Sequence, residues 1–390
     1  MAIRTVTDAI RYVGVDDNTL ALFENQYPVQ PMGVSYNSYV ILDEKIAVMD
    51  SVDARAAEEW LSNVAQVLEG RSPDYLVVTH MEPDHSGSLM RLAQKYPEMK
   101  IVGNAKTFTL IKQFFGTGAL SEDRMLEVGE GSTISLGSHR LRFLLAPMVH
   151  WPEVMVTYEQ SEKVLFSADG FGKFGSLSAE EPWEDEARRY FINIVGKYGA
   201  PVQALLKKAA ALDVAMICPL HGPVLTENLG HYIGLYDTWS SYRPEEKGVL
   251  IAYASIYGNT RKAAEALADE LTRAGQQVCV MDLCRCDLAQ AVSEAFRYDR
   301  LVLACATYDG GMYLPMEDYL NHLKAKNFQK RKIGLMENGS WAPMAAKKMK
   351  EALEGMKEMT FCDTVVTIRS AMKENDLPQI QKLAEELCAG

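Results

Sequence analysis

Short apolar runs that stop at polar, glycine- or proline-containing turns punctuate this chain from end to end. In its first part they come in irregular order, at Ser38–Leu42, Ile46–Met49, Tyr75–His80, Ile101–Val102, Arg140–Ala146, Val154–Tyr158, Val164–Ser167 and Val214–Cys218. Runs of that length bounded by turn formers predict strands. Helical spacing intervenes at about Ala54–Leu68, Ser88–Lys95 and Pro182–Ala211. Mixed sheets with helices packed outside them are the natural architecture for such a pattern.

Past the polar connector Tyr242-Arg243-Pro244-Glu245-Glu246-Lys247-Gly248 the rhythm becomes regular. Val249–Ala254 predicts a short apolar strand and Thr260–Ala274 an amphipathic helix; Val278–Met281, Leu301–Cys305, Ile333–Met336 and Thr364–Ile368 predict further strands between helical stretches. Strands alternating with helices imply an α/β domain with a doubly wound parallel sheet, which binds ligands at the carboxyl ends of its strands. The chain therefore divides into residues 1–247, of α+β character, and 248–390.

Composition narrows the functional classes. A length of 390 residues gives each part enough chain to bury a core. A formal net charge of −12 argues against nucleic acid or an anionic membrane as partner. No apolar run approaches the roughly 18 residues of a membrane helix, and no apolar leader follows Met1, so a cytoplasmic location is expected. The seven cysteines contain no CxxC pair, so neither a zinc ribbon nor a rubredoxin-type iron centre is built in, and they suit a reducing compartment.

The densest chemistry lies in His80-Met81-Glu82-Pro83-Asp84-His85, directly after an apolar run. His150, Asp169 and His221 each follow another strand-like run, with glycine or proline neighbours that give the tight turns of a sheet rim. Seven ligand types are too many for one tetrahedral zinc and suit two metals sharing a carboxylate, for which Asp169 is the natural bridge. Two carboxylates and two imidazoles within one loop make an oxygen-rich site, favouring iron or manganese over zinc. His139, His231 and His322 lack ligand-rich neighbours and are expected to be structural.

In the second part, Ser255-Ile256-Tyr257-Gly258-Asn259-Thr260 leads from a strand into a helix. Its hydroxyls and backbone N–H groups at a helix N-terminus suit a phosphate. Thr307-Tyr308-Asp309-Gly310-Gly311 and Asn338-Gly339-Ser340-Trp341 follow later strands, placing aromatics where a flat ring can stack.

These residues carry a resemblance. Thr79-His80-x-Glu82-x-Asp84-His85-x-Gly87, His150-Trp151-Pro152, Asp169 and His221-Gly222-Pro223 resemble the metallo-β-lactamase fold, in the variant of the flavodiiron proteins where glutamate replaces the middle histidine. The Ser255–Thr260 loop resembles the phosphate loop of flavodoxins. The resemblance implies an αββα sandwich followed by a flavodoxin-like sheet, two irons and one FMN per chain. One iron would take His80, Glu82, His150 and Asp169, and the other Asp84, His85, Asp169 and His221. It further implies reduction of O₂ to water or of NO to N₂O, with Tyr308 and Trp341 stacking on the flavin and Tyr190 supplying a hydroxyl behind the metals. Electrons would come from a separate donor such as a rubredoxin or a flavin reductase. A head-to-tail homodimer, or a dimer of dimers, would bring each FMN to the partner's metals. The competing reading is a binuclear zinc hydrolase fused to a flavodoxin module; a plain electron-transfer protein with a vestigial first domain is the other.

Overall fold

A computed structural model describes residues 3–389. The chain folds into two compact units, the first made of residues up to Tyr190 with Ala200–Asp237, the second of Phe191–Gly199 with residues from Thr238 onward.

The first unit holds two sheets. One runs, in spatial order, through Arg4–Thr5, Ile10–Tyr12, Tyr39–Ile41, Ala47–Met49, Tyr75–Val77, Lys100–Gly103 and Met125–Glu127. The other runs through Thr133–Ser135, Arg140–Leu145, Met155–Glu159, Val164–Phe166 and Met216–Cys218. Tyr39, Ile41, Met49 and Val77 from the first sheet and Phe143, Met155 and Phe166 from the second share one buried cluster, so the core lies between two facing sheets. Helices occur where the spacing asks for them. Ala57–Leu68 buries Ala57, Trp60, Val64 and Leu68 on one stripe. Ala105–Phe115 starts at Asn104, whose side chain accepts from the N–H groups of Lys106 and Thr107. With helices as well as these two sheets, the unit is the expected αββα sandwich.

The second unit is a parallel sheet in the order Val278–Asp282, Glu246–Ala254, Tyr298–Tyr308, Lys332–Asn338, Thr360–Ile368. Gly248–Ala254 is buried throughout, which explains why its sequence reads as a continuous apolar run rather than an alternation. The helix Asn259–Arg273 packs Thr260, Ala263, Ala264, Leu267 and Leu271 inward at helical spacing. This order places the reversal of winding beside the first strand, where doubly wound sheets hold ligands.

The division differs from a single cut at residue 247 in two respects: Thr238–Lys247 lies with the second unit, and so does the earlier segment Phe191–Gly199. Phe191–Val195 forms a π-helical turn after the helix Trp183–Tyr190 and belongs to the second unit. Asn193 donates to the carbonyl of Ala289 at 3.0 Å, and the Phe191 and Trp239 rings lie 5.5 Å apart. Interactions between residues so far apart in the chain leave no trace in hydrophobic periodicity.

Arg331 holds one end of the second unit's sheet. It is 2 % exposed and donates to the carbonyls of Ala295, Phe296, Tyr242, Gln329 and Lys330. Arg331→Ala strands these acceptors and is expected to cost about 3 kcal/mol, read as a lowered urea midpoint for this unit. An unchanged midpoint would show that water replaces the guanidinium.

Candidate metal centre and flavin site

Four strand ends of the first unit converge. His80 follows Tyr75–Val77, His150 follows Arg140–Leu145, Asp169 follows Val164–Phe166 and His221 follows Met216–Cys218. Pro83–Ser86 closes into one helical turn after Glu82, which brings Asp84 and His85 back towards the same point. All seven side chains meet in two groups, His80, Glu82, His150 and Asp169 in one, Asp84, His85 and His221 in the other.

Asp169 divides its two oxygens between them. Oδ2 lies 3.3 Å from His80 Nε2 and 3.1 Å from His150 Nε2; Oδ1 lies 3.1 Å from His85 Nε2 and 3.9 Å from His221 Nε2. Glu82 Oε2 completes the first group at 3.0 Å from His150 Nε2, and Asp84 Oδ2 the second at 3.2 Å from both His85 and His221. Ligand atoms bound about 2.1 Å from one metal stand roughly 3.0–3.4 Å apart, so all these separations except the 3.9 Å to His221 are those of coordination shells.

The chemistry of the donors agrees. Both oxygens of Asp84 and of Asp169, both ring nitrogens of His85 and Nε2 of His221 are buried without a hydrogen bond. Buried polar atoms are almost always paired, so the carboxylate oxygens and Nε2 atoms gathered here mark a place for a cation. Burial lowers the basicity of His150, but the adjacent Asp169 and Glu82 carboxylates outweigh it and hold the imidazole up at about 9. Those imidazoles hold Asp169 and Glu82 well below the usual carboxylate range against the opposing effect of burial.

Three supporting groups escaped sequence reasoning. Glu153 Oε1 accepts from His80 Nδ1 at 2.8 Å and from the N–H of Met81 at 2.9 Å, and the Ser35 carbonyl accepts from His221 Nδ1 at 2.7 Å. Each bond directs Nε2 inward and fixes the ring. Glu153 stands three residues after His150, and that acidic neighbour was the available signal; a backbone carbonyl gives none. Asp50 accepts from both the N–H and the hydroxyl of Thr79 at 2.7 Å, holding the start of the ligand loop. Tyr190 is 1 % exposed, with its ring 5.4 Å from that of His221. A cleft of about 440 Å³ bordered by Phe23, Glu24, Tyr36 and Arg55 opens onto Glu82 and Asp84.

The second unit carries a cleft of about 480 Å³ at the carboxyl ends of its strands. Ser255, Ile256, Tyr257, Asn259 and Thr260 line one side, Thr307, Tyr308, Asp309 and Gly310 another, and Asn338, Gly339, Ser340 and Trp341 the third. Gly258 and Gly311 are not part of its lining; Gly258 instead caps the helix Asn259–Arg273 with a φ of 86° and leaves open space where a Cβ would project. Glycine tolerates that conformation, and the N-terminus beside it can accept a phosphate. Tyr308 and Trp341 in this lining are 44 % and 88 % exposed, so both rings are open to a planar ligand. Ser370, which sequence reasoning did not single out, also lines the cleft, and its hydroxyl donates to that of Ser340 at 2.8 Å.

Comparison with known proteins places both halves. The family model described as ODP family beta lactamase matches residues 34–222, and that for flavodoxin matches residues 251–382. A nitric oxide reductase of Moorella thermoacetica is 28% identical, with 98% of each chain aligned. A rubredoxin-oxygen oxidoreductase of Megalodesulfovibrio gigas is also 28% identical, over 98% of this chain and 96% of its own. Among solved structures, rubredoxin oxygen:oxidoreductase from Desulfovibrio gigas superposes with a TM-score of 0.91 at 27% identity, covering 100% of this chain and 98% of that one. The flavodiiron protein from Giardia intestinalis gives 0.90 at 25%, covering 100% and 97%.

Metal uptake by metal-free protein must displace the proton that His150 carries below about 9. Affinity for Fe(II) is therefore expected to rise steadily from pH 6 towards pH 9, with protons released on binding, as anaerobic titration calorimetry in buffers of different ionisation enthalpy measures. A pH-independent affinity would contradict a protonated empty site.

Proposed function

We infer the activity from two premises: the chain belongs to the flavodiiron proteins, and its first unit gathers the ligands of two metals around one shared carboxylate. The protein is an oxidoreductase that reduces O₂ to water, NO to N₂O, or both. The cofactors are FMN and a pair of irons, which when bound supply the redox chemistry, four electrons and four protons for O₂ to two waters or two of each for two NO to N₂O and water. The observation that carries this reading is the division of the Asp169 oxygens between the two groups.

The residues of this chain define what each does. His80, Glu82, His150 and Asp169 would hold one iron; Asp84, His85, Asp169 and His221 the other. Glu153 and the Ser35 carbonyl keep two of the imidazoles oriented, with Nε2 turned towards the metals. Tyr190 packs against His221, and burial together with the Asp169 charge holds its phenol well above its ordinary value, so it serves as a proton-bearing hydroxyl rather than a phenolate. In the second unit, the Ser255 and Thr260 loop would hold the FMN phosphate, and the Tyr308 and Trp341 loops the isoalloxazine. Glu82 in place of a third imidazole supports iron over zinc, and a hydrolase would give the flavin cleft no role.

The chain works as a head-to-tail dimer supplied by a separate reductant, a rubredoxin or a flavin reductase. Among the described residues no helix is long and apolar enough to cross a membrane, and all seven cysteines are free, which supports a cytoplasmic setting.

Asp169→Ala is expected to remove both irons and leave FMN in place, as elemental analysis and the flavin spectrum of anaerobically purified protein would record. Retention of two irons would refute the bridge. Glu82→His should shift loading towards zinc and lower gas turnover, and unchanged iron content would remove the argument from that residue.

A further inference from the structure

Behind the loops that carry His150 and Asp169 lies a small, largely enclosed cavity. Val149, bonded to His150, borders it, as do Ser167 and Gly170, which lie on either side of Asp169. Val156, Leu165 and Phe171 continue the wall on the sheet side. The opposite wall is the helix Gly199–Ala209, through Val202, Leu205, Leu206 and Ala209. Their spacing of three, four and seven residues puts them on one helical face.

The surface presented to this space is entirely apolar. Its potential polar contributors are engaged elsewhere. The Ser167 hydroxyl donates to the Gly170 carbonyl at 2.6 Å, and the Tyr236 hydroxyl accepts the N–H of Phe171. The cavity gives the centre of a water-sized sphere about 20 Å³, where about 10–15 Å³ by that measure accommodates one such molecule. A water placed there would forgo its hydrogen bonds, whereas a diatomic gas has almost none to lose. Enclosed apolar cavities of this kind stay dry and take up apolar gases.

We propose that this cavity is a holding site for one molecule of O₂ or NO, reached past the helix Gly199–Ala209 and adjoining the loops of His150 and Asp169. Leu205, Leu206 and Ala209 are half-buried, so the helix side is the thinner barrier to solvent, whereas Val149, Val156, Leu165 and Phe171 are buried. A gas stored there is concentrated relative to water beside the metals that consume it. The staging role rests on the activity proposed above; gas binding by the cavity does not.

The test is crystallographic and kinetic. Crystals of the FMN- and iron-loaded protein pressurised with xenon are expected to show one xenon between Val156, Phe171 and Leu206, lost when Ala209→Leu fills the space. In solution that variant should raise the KM for gas roughly threefold, with kcat, iron and FMN content unchanged. Val202→Ile, a smaller addition on the same helical face, provides the same readouts if Ala209→Leu does not fold. Absence of xenon, or an ordered water in its place, overturns the proposal. Xenon binding with an unaltered KM in the filled variants overturns the staging role. Wild-type protein that holds xenon but consumes neither gas overturns the activity and the staging role together, and leaves the cavity a gas site without a substrate.

Discussion

The fold of the first unit is organised around a buried charge that the polypeptide does not balance by itself. Asp169 and His221 are 0 % exposed, and three carboxylates face four imidazoles within a few ångströms of one another. Removing such groups from water is costly unless each finds a counter-charge and hydrogen bonds. Without a cation the imidazoles take up protons, which is why His80, His85 and His150 are all held above their ordinary range despite burial. Two divalent cations held by these residues would balance the carboxylates in place of those protons, and most of the ligand atoms already stand at coordination distances. The backbone carries part of the cost. Asp50, Met148 and Ala168 adopt positive φ values of 54°, 65° and 51° beside the ligand loops, conformations that persist where packing over-determines them.

The flavin cleft obeys a different constraint. Its phosphate end needs N–H groups and hydroxyls, supplied by a short loop at the start of a long helix, and Ser255 and Thr260 there are buried, at 8 % and 3 % exposure. Its ring end needs large faces, and there Trp341 lies almost fully open and Tyr308 is 44 % exposed. Exposed aromatic faces of that size are unusual on a finished surface. They are intelligible where a planar cofactor completes the site, with buried anchorage at one end and access at the other.

How much of this was legible in the sequence follows from where each interaction resides. The three central strands of the parallel sheet were legible because burial on both faces writes a continuous apolar run, as in Val249–Ala254. The seven candidate ligands were legible as a set because ligand chemistry restricts residue type and because each comes shortly after a strand. The amino-terminal strands Arg4–Thr5 and Ile10–Tyr12 were not, since two or three residues set no period. Neither was the carbonyl of Ser35, which any residue would supply. Glu153 and Asp50 were hidden for another reason: a lone carboxylate usually signifies a solvated surface, and only the fold reveals that these two are buried and accept hydrogen bonds from the ligand loop. The π-helical turn Phe191–Val195 reads in sequence as ordinary helix, because its departure is made by partners distant along the chain.

Glu82 links the architecture to the chemistry. A third imidazole at that position would leave the first group with one carboxylate, a softer and less negative set suited to zinc. With Glu82 and Asp169 together the group carries two negative charges, which stabilise a metal as its positive charge rises and so suit an ion that must cycle between oxidation states. Glu153 adds to this by accepting from His80, making that imidazole a stronger donor. Glu82 is also among the less buried of the seven, at 15 % exposure, and with Asp84 it faces the cleft. Carboxylates can shift between one and two bound oxygens, whereas an imidazole offers one fixed nitrogen. Placing the adaptable ligands towards the opening and the fixed imidazoles in the interior gives a centre that is rigid where it is anchored and adjustable where it meets solvent and substrate.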